Sequence, residues 1–241
     1  MLRLGGAGKS HNNIERDLHR RAKLLVDLPI DPELIEVPRY HRRSGLMKMI
    51  NAALICPHDL FGALFERPKA FVNLFGTRES WVEYWNCMRE ELWLKEHPDY
   101  EHILQHPERF CPFVLFGDDA QTSKRVGQNV KLMSWMSPLS IHRSSEKRLI
   151  PIYVMPTQEK NRKAIENLLD MMATWSFNAA AVNCHPHRAA DPGCKLSKHR
   201  LAVAGKPICN GEEPTYLTYS GACGDWKWQV EQCADNLDIG G

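Results

Sequence analysis

The sequence predicts a mixed chain of the α+β (or α/β) class. A helical N-terminal region over residues 1–109 is followed over residues 110–241 by the order strand, strand, strand, helix, strand. Three observations carry that expectation. Prolines cut the first half into short apolar segments with helical spacing. The stretch Pro112–Asp119 (Pro-Phe-Val-Leu-Phe-Gly-Asp-Asp) is a short apolar run bounded by proline and glycine, the signature of a buried strand. After it the apolar runs become strand-like, with one amphipathic helix among them. At 43% hydrophobic and 25% charged residues a packed core is feasible and wholesale disorder is excluded.

Gly5-Gly-Ala-Gly-Lys9-Ser10 imitates a phosphate-binding loop, but Arg3 stands where that loop needs a glycine and no strand precedes it, so it reads as terminus. Residues 13–28 predict a helix with Ile14, Leu18, Ala22 and Leu25 on one face. Prolines 29, 32 and 38 predict an extended linker. Short helices are expected over Ser44–Ile55, Pro57–Phe65 and Pro68–Leu74, and a longer one over Thr77–Glu96 with Trp81, Trp85, Met88 and Leu92 as its core stripe. Strands are expected over Phe113–Phe116, Val126–Met136 and Arg148–Met155, where Pro151 argues for an edge or a bulge. Thr157 caps a helix to about Trp175, Ser176–His199 reads as a long loop, and Thr215–Ser220 alternates as a strand leading into Asp225. Trp226–Glu231 can begin another helix.

The formal net charge of +2 is too small to argue for nucleic acid by itself. Its distribution is uneven: residues 1–50 carry ten Lys/Arg against six Asp/Glu, residues 181–207 five against one, and residues 90–109 six acids against Lys95 and Arg109. Eight scattered cysteines with no Cys-x-x-Cys spacing suit free thiols in a reducing compartment. No apolar leader opens the chain, and Met171–Pro186, the longest uncharged run, is too short and polar to span a bilayer. An intracellular protein without a membrane segment is expected; composition leaves the oligomeric state open.

Acids follow the first and the fourth predicted strands. That is the opening order of a ribonuclease H-like core, in which the first and fourth strands lie side by side and parallel. Asp118 and Asp225 would then come close enough to share a divalent metal, the hard-oxygen arrangement of metal-assisted phosphoryl chemistry. Phe113-Val-Leu-Phe-Gly-Asp118, Leu132-Met-Ser-Trp-Met-Ser-Pro138 and Gly224-Asp225-Trp226-Lys227-Trp228 resemble the transposase-derived proteins of Plavaka-like (CACTA-related) DNA elements, over about residues 77–232. The resemblance implies Asp118 and Asp225 as catalytic Mg²⁺ ligands, Asp119 as a spare ligand, DNA as the partner and the nucleus as a place of work. It also implies a third carboxylate beyond a Cys-x-x-Cys-like segment. The chain ends at Gly241, with Glu231, Asp235 and Asp238 too close to Asp225 to serve, so the core from residue 110 is expected to be partial, a truncated copy of doubtful activity.

Two further sets carry candidate chemistry. Cys184, His187, Cys194 and His199 are zinc-ligand types, but without a tight Cys-x-x-Cys knuckle their spacing argues against zinc. Lys124, Arg125, Arg143, Lys147 and Arg148 flank the acids, and of these Lys124, Arg125 and Arg148 are the candidates for a nucleic-acid backbone. The competing expectation is a non-enzymatic remnant that binds nucleic acid or protein through its N-terminal half.

Overall fold

The computed structural model describes residues 30, 32–41, 45–121, 129–143, 148–156, 162–186 and 200–224. Within them six strands make one mixed sheet in the order β1-β2-β5-β4-β3-β6. The strands are β1 (Glu33–His41), β2 (Leu46–Leu54), β3 (Phe110–Gln121), β4 (Asn129–Met136), β5 (Ile150–Pro156) and β6 (Tyr216–Gly224). Between β2 and β3 lie the helices α1 (Pro57–Phe65), α2 (Pro68–Phe75), α3 (Arg78–Met88), α4 (Leu92–Lys95) and α5 (Tyr100–Gln105). The long helix α6 (Arg162–Ala181) connects β5 to β6.

Local chemistry explains the helical stretch. Pro57 and Pro68 sit at the first positions of α1 and α2, where a missing N–H costs nothing. Thr77 and Ser80 cap α3 reciprocally, each side chain accepting from the other's backbone N–H. Trp81 and Trp85 point inward, donating their indole N–H groups to the carbonyls of Phe75 and Phe110 at 2.7 Å each. The expected helix to Glu96 is instead broken: α3 stops at Met88, α4 is a separate turn, and Leu92 is 76% exposed and not part of the core.

The first 109 residues are not wholly helical. Where a linker and a helix over Ser44–Ile55 were expected, β1 and β2 form an antiparallel hairpin, paired from Glu33↔Leu54 to His41↔Leu46. Leu54↔Tyr153 and the bond from Ile55 N–H to Ile152 O at 2.8 Å attach it to β5. The sheet and the main core therefore draw on residues from both sides of position 109.

β3, β4 and β5 form an antiparallel meander, and β6 returns through α6 to lie parallel to β3. The register of β5 shifts beside Pro151, a bulge of the kind proline requires within a sheet. β6 carries another between Tyr219 and Gly221, where the Ser220 hydroxyl donates to the Phe113 carbonyl at 2.9 Å. Helices α1, α2 and α6 cover one face of the sheet. Phe177 of α6 stacks on Phe113 of β3 (4.5 Å between centroids, 7° between planes), and Phe75 of α2 stacks on Trp135 of β4 (5.4 Å, 30°). Val130, Leu132 and Met136, the alternate residues of β4, are also buried but lie outside that core, on the other face. Among the described residues no helix is long and apolar enough to cross a membrane.

Candidate functional site

Two places hold the chemistry-bearing side chains. The first is the end of the sheet where β3 and β6 run together. Asp118 is half-buried and registered opposite Leu132, and position 119 opposite Lys131. The strand was expected to stop at Gly117. It continues to Gln121 because pairing with β4 carries it on, so Asp118 and Asp119 are strand residues and not part of a following turn. On the other side, Gly117 is registered with Gly224 of β6. Each of these glycines immediately precedes a sequence-predicted aspartate; Asp225 itself lies outside the described residues, as do Lys124 and Arg125.

Polar groups from α6 approach β4 and β5 on the covered face. Lys131, 1% exposed, makes an ion pair with Glu166. The Tyr153 hydroxyl donates to Asp170 Oδ1 at 2.5 Å. Burial pushes the Asp170 carboxyl up, and that hydrogen bond holds the rise back. Arg148, just before β5, is half-buried, and its Nε finds no hydrogen-bond partner among the described residues. Burial raises the Cys223 thiol and the Arg148 guanidinium partly offsets it, so this arginine acts on the strand end that leads to Asp225.

Of the four candidate zinc ligands only Cys184 is described; its thiol contacts the His185 carbonyl at 3.7 Å. His187, Cys194 and His199 lie outside the described residues.

The second place was not foreseen. Cys56, His58 and Asp59, at the start of α1, bring one sulfur, one nitrogen and one oxygen within 4.8 Å of one another, the metal-type cluster found among the described residues; Asp118 belongs to no such group of three there. Pro57 starts the helix, and the helix N-terminus favours Asp59. Around them close Glu33 of β1, Trp175 and Ser176 of α6, and Arg200 of a helical turn at 200–203. Arg200 donates from Nη1 to Glu33 Oε2 at 2.8 Å, and from Nη2 to Asp59 Oδ2 at 2.9 Å and Cys56 Sγ at 3.1 Å. The Cys56 thiol donates to Glu33 Oε2 at 3.3 Å, and Arg200 lies over the Trp175 ring at 5.6 Å. Ser176 Oγ accepts the backbone N–H of His58 at 3.1 Å and meets its Nδ1 at 2.7 Å. His58 Nε2 lies 3.2 Å from Asp59 Oδ1 but off the hydrogen-bonding line.

These distances test two chemistries. Serine, histidine and aspartate in series imitate a nucleophile relay, but the order of access is inverted. Ser176 is 0% exposed while Asp59 is the member that reaches solvent, so no acyl group could meet the hydroxyl. A metal is disfavoured by the guanidinium already seated among Glu33, Cys56 and Asp59. Burial also drives the Cys56 thiol well above its ordinary value, away from the thiolate a metal binds. For Asp59 burial alone would raise the carboxyl, but His58 and Arg200 outweigh it and hold the group well below the carboxylate range. Arg200 is thus the cation of this cluster, which ties β1, α1 and α6 to the segment at residue 200.

The signal available in the sequence was Cys56-Pro-His-Asp59 at a proline-led helix start; Glu33, Ser176 and Arg200 join it across as many as 144 positions. Comparison of the chain with protein-family models, with curated proteins and with solved structures gives no match.

Proposed function

We propose that the chain is a nucleic-acid-processing domain of transposase-like type, built on a partial ribonuclease H-like core, with Asp118 and Asp225 as its acid pair. One observation carries the reading. β3, the first strand of the expected core, lies beside and parallel to β6, its fourth, with Gly117 level with Gly224. Gly117 and Gly224, each followed in the sequence by an aspartate, are level on parallel neighbouring strands, which supports ligation of one metal ion by the two acids. Arg148, acting on the end of β6, adds a cation of the kind a phosphodiester needs nearby.

Two hard oxygen donors suit a divalent ion such as Mg²⁺, which when bound would polarise a phosphodiester and activate the attacking water or 3′-hydroxyl. The chain's own part is to fix Asp118 on β3 and, on the paired β6, the Gly224 that precedes Asp225, both backed by the Phe113–Phe177 stack. The second reading, a non-catalytic nucleic-acid or protein binder, is favoured by the lack of a third metal-type side chain grouped with Asp118 among the described residues.

A Mg²⁺- or Mn²⁺-dependent nuclease assay separates them. The catalytic reading expects loss of at least about a hundredfold in rate for Asp118→Ala and for Asp225→Ala, the cost of removing a metal-binding partner. Equal activity in wild type and both variants removes it.

A further inference from the structure

We draw no further inference here: the strongest candidate, the Cys56, His58 and Asp59 side-chain cluster at the start of α1, belongs to the site already described, where the Arg200 guanidinium holds the place of its cation.

Discussion

At the scale of single residues the cluster around Arg200 gathers buried charge from β1, α1 and the segment at residue 200. A guanidinium that bridges Glu33, Asp59 and Cys56 at 2.8–3.1 Å, with 4% of its side chain exposed, leaves uncompensated buried charge if removed. Arg200→Met should therefore cost about 3–5 kcal/mol of unfolding free energy, read as a shift of the urea midpoint. Arg200→Lys should recover only part of this, since one ammonium cannot reproduce the fork. The cluster also dictates a pH response. Asp59 is held below its unfolded value, so the unfolded chain binds more protons in acid. The stabilisation it gives is whole above the ordinary carboxylate range and disappears as pH falls toward the folded-state value. Thermal midpoints should decline from about pH 5 to about pH 2, and decline less in Asp59→Asn. An equally steep fall in that variant would place the acid sensitivity elsewhere. None of this was legible beforehand, because each partner alone is an ordinary polar residue and only the fold brings them together.

At the scale of elements, caps and punctuation explain what could be read and what could not. α1 and α2 were legible from Pro57 and Pro68, and α3 from Thr77. Gly76, just before the cap, takes a φ of +79°, and a Cβ there would meet Ser80 Oγ at 2.5 Å and Leu139 Cβ at 3.1 Å. Gly76→Ala should thus combine backbone strain with loss of the reciprocal cap. It should destabilise by more than the about 1 kcal/mol expected of Thr77→Ala, compared through urea midpoints. The β1–β2 hairpin was misread for a physical reason. Leu46-Met-Lys-Met-Ile-Asn-Ala-Ala-Leu54 is rich in good helix formers, and the three preceding prolines suggested a linker. Cross-strand pairing with β1 overrides that local preference, and Pro38 is tolerated because β1 is the edge of the sheet. The strand at Phe113 was legible because it is apolar throughout, but its length was not. Gly117 reads as a terminator, and only the partner β4 shows that pairing runs on to Gln121.

At the scale of the whole molecule the sheet and its aromatic core decide whether the two halves are independent. The expected division at residues 109 and 110 followed a change in sequence pattern, helical before and strand-like after. The core does not follow that change. Phe61 and Phe75 from the helical half touch Trp135 of β4 at 6.5 and 5.4 Å between centroids, and Trp135 in turn meets Phe113 and Phe177 at 6.0 and 5.7 Å. The Trp85 indole, also from the helical half, is bonded to the first residue of β3. A core shared in this way couples its elements, since neither half can bury its aromatic face alone. Trp135, 0% exposed at the centre of the contacts, is the residue to remove. Trp135→Ala should cost about 3–5 kcal/mol. Far-ultraviolet circular dichroism and near-ultraviolet aromatic signals should then lose structure at the same, lowered denaturant concentration. Two separated transitions, with the helical signal surviving at the wild-type midpoint, would show instead that residues before 110 hold a core of their own. The hairpin bears on the same outcome. Its base shares the core through Val37 and Leu54, so the hairpin is held in place only while the joint core is intact.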